Sequence, residues 1–139
     1  MNVIDALRDA RLFGGLPCFS DLASWRAWQT FLRAVYGLPM SEADLETFRR
    51  HTGRSTPRPS GYSEAVAIVG RQSGKLRIAA TLAAFEAALI GQERGLYALL
   101  IAQDMRAAQR TLFGYAVEPF EEVATLRRLV VSRTTTRPP

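Results

Sequence analysis

The stretch Ala65-Val66-Ala67-Ile68-Val69-Gly70-Arg71-Gln72-Ser73-Gly74-Lys75-Leu76-Arg77 decides the expected fold. Its first five residues are a short, continuous apolar run. A run with no alternate polar position is the pattern of a strand buried on both faces, as in a parallel sheet. Lys75 to Ile90 is rich in Ala, Leu, Ile and Phe without a breaker, so it reads as a helix. Between them lies a loop punctuated by Gly70 and Gly74. A phosphate-binding loop needs that order of parts. Glycines let the backbone curl with its N–H groups inward, a lysine reaches the outer phosphates, and a helix N-terminus stands behind. Gly70, Arg71, Gln72, Ser73, Gly74, Lys75 and Leu76 are therefore the candidate nucleotide-binding residues.

The strict pattern G-x-x-x-x-G-K-[ST] is broken in two places. Counted back from Gly74, the first glycine falls on Val69, and Gly70 lies one place later. The hydroxyl that would hold Mg²⁺ falls on Leu76. Lys75 is the only lysine; every other basic side chain is arginine.

Downstream, Leu96-Tyr97-Ala98-Leu99-Leu100-Ile101-Ala102 is a second buried-strand candidate. Asp104 can cap a helix from Met105 to about Tyr115. A further helix is expected from Pro119 to Val130, with the proline in its first turn. Upstream, Val3 to Phe13 reads as a short helix ended by Gly14-Gly15 and Pro17. Ser20 or Asp21 caps a second helix to about Tyr36, with Leu22, Trp25, Trp28, Phe31, Leu32 and Val35 at helical spacing. Ser41-Glu42-Ala43-Asp44 resembles a capping box and opens a helix to about His51. Two prolines and two glycines between Gly53 and Tyr62 exclude a helix or a central strand there.

The expected fold class is α/β: a partial P-loop NTPase, strand–loop–helix–strand–helix, with a right-handed crossover. The expected division is a helical segment over 1–53, a linker over 54–63, the partial ATPase core over 64–130 and a disordered tail over 131–139.

The 139 residues suit one domain, and 47% hydrophobic residues is ordinary for a folded protein. No run approaches the roughly 20 apolar residues a membrane-spanning helix needs. The N-terminal segment is charged and helical in period, unlike a secretory signal. Cys18 and His51 are the only residues of their types, which excludes an internal disulfide, a thiolate metal cluster and a multi-histidine metal site. A cytosolic location is expected. The net charge of +5, from 18 basic and 13 acidic residues, is compatible with a polyanionic partner. The aromatic stripe of Trp25, Trp28 and Phe31 reads as core. Arg49, Arg50 and Arg54 read as a solvated face, and Tyr62 precedes the loop where a base-stacking residue could lie.

Gly70-Arg71-Gln72-Ser73-Gly74-Lys75 resembles the deviant loop, roughly Gly-Arg-Arg/Gln-x-Gly-Lys-Ser, of the large terminase subunit of tailed bacteriophages. The likeness extends to Trp25-Arg26-Ala27-Trp28, Phe31-Leu32, Tyr36-Gly37-Leu38-Pro39 and Phe48-Arg49-Arg50-His51-Thr52-Gly53-Arg54. Beyond the loop it continues through Leu99-Leu100-Ile101-Ala102-Gln103-Asp104 and Arg106-Ala107-Ala108-Gln109, so it covers most of residues 12 to 117. Only the loop is specific by itself.

That resemblance implies an ATP-driven DNA-packaging motor, with double-stranded DNA, a portal protein and a small terminase subunit as partners. It implies that Lys75 contacts the outer phosphates, that the N–H groups from Ser73 to Leu76 cradle them, and that Arg71 senses the γ-phosphate. ATP is the implied cofactor; Mg²⁺ would lack its usual hydroxyl at Leu76. The family's second carboxylate motif, an apolar strand ending in Asp-Glu, has no counterpart after residue 104, because Glu121-Glu122 follows Pro119-Phe120 on an expected helix. A truncated chain that binds ATP without hydrolysing it alone is therefore expected. The alternative is a non-catalytic prophage remnant or an interaction module that needs a missing half.

Overall fold

The computed structural model describes residues 1–91, 98–101 and 108–132, and these form helices and turns. α1 spans Val3–Arg8. Short 3₁₀ turns at Phe13–Gly15, Pro17–Phe19 and Leu22–Trp25 lead into α2, Arg26–Val35. α3 is Glu42–Thr52 and α4 is Lys75–Phe85, prolonged by a π-helical turn over Glu86–Ile90. A π-helical turn over Ala108–Phe113 runs into α5, Gly114–Glu122, which is followed by α6, Ala124–Arg127.

Local chemistry explains the ends of these helices. The Asn2 side chain accepts from the N–H groups of Ile4 and Asp5, and the Asp5 carboxylate reaches back to Asn2 N–H, a reciprocal cap on α1. Ser41 and Asp44 repeat that device on α3, as their spacing in the sequence predicts. Gly53, at φ 67°, ends α3 in the left-handed conformation. α1 stops at Arg8, short of the expected Phe13, and the chain continues in 3₁₀ turns.

One apolar cluster joins the two ends of the chain. Val3, Ile4, Leu7, Phe13, Phe19 and Leu32 pack with Ile78, Phe85, Ala88 and Leu126, all nearly excluded from solvent. Burial of large apolar side chains at about 1.5–3 kcal/mol each is the main stabilising term. Polar links tie the same halves together. The Tyr36 hydroxyl donates to the Glu86 carboxylate. Tyr36 also packs edge-on to Phe85, with ring centroids 5.9 Å apart. The chain then crosses back over the end of α2, where Tyr62 N–H donates to Val35 O at 2.9 Å. That crossing needs two glycines. A Cβ at Gly37 would lie 2.3 Å from Pro59 O, and one at Gly61 would lie 2.3 Å from Val35 O.

The α/β expectation is overturned. Among the described residues there is no strand and no sheet, and a P-loop NTPase fold requires both. Residues 64–69 run without helical or sheet hydrogen bonds, and Val66 and Ile68 are 90% and 98% exposed. Leu99 and Ile101, in the second expected strand, are 82% and 80% exposed. The physical reason is that a strand is stable only when another backbone runs beside it. Among the described residues none does, and the helices close their core without either run. Asp104, Met105 and the ends of the second run at 96, 97 and 102 lie outside the described residues. The expected helix from Pro119 to Val130 is divided. Pro119 sits inside α5, the helix stops at Val123, and α6 follows.

Candidate functional site

The loop before α4 is a curled turn. Gln72 and Gly74 both adopt left-handed backbone, at φ 60° and 78°. Alternation of left-handed and ordinary residues turns successive N–H groups toward one side, which makes a concavity suited to an anion. α4 begins at Lys75, and its N-cap residue Gly74 offers no side-chain cap. The ladder of α4 opens with Ile78 N–H on Gly74 O at 3.0 Å. The first-turn amides of a helix have no partner within it, and the positive end of its dipole lies there.

A cavity of about 340 Å³ opens at this point. Gln72, Ser73 and Gly74 line it from the loop, Trp25 from the turn before α2, Lys75, Leu76 and Arg77 from the start of α4, Thr111 from the π-helical turn before α5, and Tyr115 from α5. Lys75 folds across the loop, and its Nζ donates to Gly70 O at 3.3 Å. The Ser73 hydroxyl is shielded from water and has no hydrogen-bond partner. Arg77 is ion-paired with Glu118, and its guanidinium lies 3.8 Å from the Tyr115 ring centroid. It is thus held at the back of the cavity as a fixed positive charge, partly neutralised.

Two tryptophans support the loop from α2 and the turn before it. Trp28 Nε1 donates to Ser73 O at 2.7 Å. Trp25 Nε1 donates to Cys18 O at 2.9 Å, and its ring lies against Gly74. A Cβ at position 74 would meet that ring at 2.6 Å and 2.7 Å, so the site requires glycine there for space as well as for φ. Burial pushes the Cys18 thiol above its ordinary range, against the pull of Arg77.

Of the seven candidate residues, Gln72, Ser73, Gly74, Lys75 and Leu76 line the cavity. Gly70 takes part only through its carbonyl, and Arg71 is exposed and does not line it. The stripe residues Trp25 and Trp28 do pack against the core, yet they also hold the loop. Arg77, Thr111 and Tyr115 were not singled out by the sequence, because nothing in their spacing marks them. Tyr62 lies beneath Arg54 and Arg58, at 5.6 Å and 5.4 Å from its ring centroid, and does not line the cavity. Arg49 and Arg50 pair with Glu42 and Glu46 of their own helix.

The lining fits phosphate groups. It offers a lysine, an uncapped helix start and an unpartnered buried hydroxyl, in a volume at the low end of small-molecule sites. It does not fit Mg²⁺ in the same way. Among the described residues the lining contains no carboxylate and no group of three metal-ligating side chains exists, and the Leu76 side chain supplies no oxygen. No family model matches this chain, and neither a curated protein nor a solved structure does.

Proposed function

We propose that the chain grips the phosphate groups of ATP at the loop over Gly70–Leu76, as the nucleotide-binding part of a terminase-like DNA-packaging motor. The loop geometry carries the phosphate half of this reading. Gln72 and Gly74 curl the backbone, α4 starts uncapped behind it, and Lys75 is already folded over it. The terminase half is supported by the residue resemblance alone, and with it come double-stranded DNA, portal protein and small terminase subunit as partners in a bacterial cytoplasm. Among the described residues no helix is long and apolar enough to cross a membrane. Hydrolysis by this chain alone is not proposed. An attacking water and a metal both need carboxylates, and among the described residues the cavity lining has none.

Calorimetric titration with ATP tests the reading. ATP binds the native chain, and Lys75→Ala weakens binding about 10- to 100-fold, as expected for loss of a charged hydrogen bond of ~1.5–3 kcal/mol. No heat with the native chain, or equal affinity for the variant, contradicts it.

A second reading is favoured by the exposure of Val66, Ile68, Leu99 and Ile101. Runs apolar on both faces suit a chain that is covered by a further polypeptide supplying strands. An interaction module of that kind would gain hydrogen-exchange protection over 65–69 when its partner binds, whether or not ATP is present.

A further inference from the structure

Ser73 and Gly74 share a peptide plane whose orientation decides what the loop can offer to a ligand. In a trans peptide the carbonyl and the next N–H point in opposite directions. The Ser73 carbonyl is taken by the indole of Trp28, at 2.7 Å and across 45 positions of sequence. Trp28 is not part of the cavity wall, whereas Ser73, Gly74 and Lys75 are. The N–H of Gly74, a residue that lines the cavity, is therefore turned away from Trp28. A second consequence concerns the helix ladder. Ser73 O is the acceptor that an α-helical bond from Arg77 N–H would use. With Gly74 left-handed at φ 78°, the first ladder bond is instead Ile78 N–H to Gly74 O, and the Arg77 amide is a first-turn donor without a partner in the helix. The indole is itself held in place. Trp28 packs edge-on to Phe31 with centroids 5.5 Å apart, and the neighbouring Trp25 is fixed by Cys18 O and by Phe19 at 5.1 Å.

We infer that Trp28 is a positioning residue of the anion site: by diverting the Ser73 carbonyl it keeps the amides of Gly74 and Arg77 open for phosphate. Trp25 sets the depth of the turn by lying against Gly74. The inference rests on the phosphate reading for its purpose, but its structural content can be read without any ligand.

The test compares the native chain with Trp28→Phe, which keeps an aromatic face and loses the donor. Amide hydrogen exchange is measured first on the ligand-free proteins. Arg77 N–H gains at least tenfold protection in the variant, because the freed Ser73 carbonyl joins the ladder, while amides of α1 and α3 are unchanged. Inorganic tripolyphosphate and ATP are then titrated, and affinity for both falls about tenfold. Unchanged Arg77 protection overturns the inference, and so does unchanged affinity beside altered protection. If the native chain binds neither anion, the phosphate reading fails while the exchange result still decides whether Trp28 holds the loop. Should Trp28→Phe unfold, benzothienylalanine at position 28, which has the indole shape without its N–H, gives the same comparison.

Discussion

Gly74→Ala is the sharpest perturbation of the loop, because two independent penalties meet at one atom. The residue stands at φ 78°, where a Cβ costs about 1–2 kcal/mol by contact with the following carbonyl. The new methyl would also lie 2.6 Å and 2.7 Å from ring carbons of Trp25, well inside contact. Trp25 cannot retreat freely, since its N–H is bonded to Cys18 O and its ring packs on Phe19. Crowding of that kind costs about 1–3 kcal/mol. The total expected loss is ~2–5 kcal/mol, or a fall in Tm of about 6–20 °C for a domain of this size. Gly53→Ala provides the control. Gly53 has φ 67° and open space around it, so it incurs the backbone term alone. Equilibrium urea unfolding followed by far-UV circular dichroism reads both variants. Gly74→Ala should be the more destabilised by ~1–3 kcal/mol, the share owed to the ring. Equal losses would refute the packing of Trp25 against the loop.

Other outcomes follow from the same geometry. Ile68→Asp, at a side chain 98% exposed, changes stability by less than about 0.5 kcal/mol in the same unfolding assay; a loss above ~2 kcal/mol would show that the run is packed after all. Tyr36 is raised above its ordinary value of 10.0, chiefly by burial and then by its bond to Glu86. Its folded-state value exceeds the unfolded one, so its contribution is present below pH 10 and is lost as pH rises beyond it, and Tyr36→Phe should flatten that alkaline decline. Asp44 is lowered below 3.8: burial opposes the shift but is outweighed by Ser41, Thr30 and Arg33. Its contribution is present above the unfolded value and fades as pH falls through the folded one. Asp44→Asn should therefore cost ~1 kcal/mol at neutral pH and leave a shallower acid limb in pH-dependent unfolding.

Local signals in the chain proved readable and non-local ones did not. Ser41 and Asp44 cap α3 as their spacing predicts, and helix formation begins at Lys75 immediately after the second glycine. Each of these depends on a few neighbouring residues. The strand expectation depended on partners far away in sequence. Ala65 to Val69 has the composition of a buried strand, but composition states only what would be stable if covered, and no described backbone covers it. The turn before α4 was legible from Gly74, which stands at φ 78° directly ahead of the helix. Its supports were not. Trp28 reaches Ser73 across 45 positions, and Arg77 finds Glu118 and Tyr115 from another helix, so neither pairing leaves a local trace. Pro119 was misread as a first-turn residue; it lies inside α5, which continues from the preceding π-helical turn.

The central claim is that the backbone from Ser73 to Arg77 receives phosphate. Amide chemical shifts of the isotopically labelled chain, followed during titration with ATP and repeated with Lys75→Ala, test it most directly. The account predicts saturable shifts concentrated at Ser73, Gly74, Lys75, Leu76 and Arg77, accompanied by the Trp28 indole N–H and strongly reduced in the variant. Shifts absent from these amides at millimolar ATP, or equally large in Lys75→Ala, would contradict it.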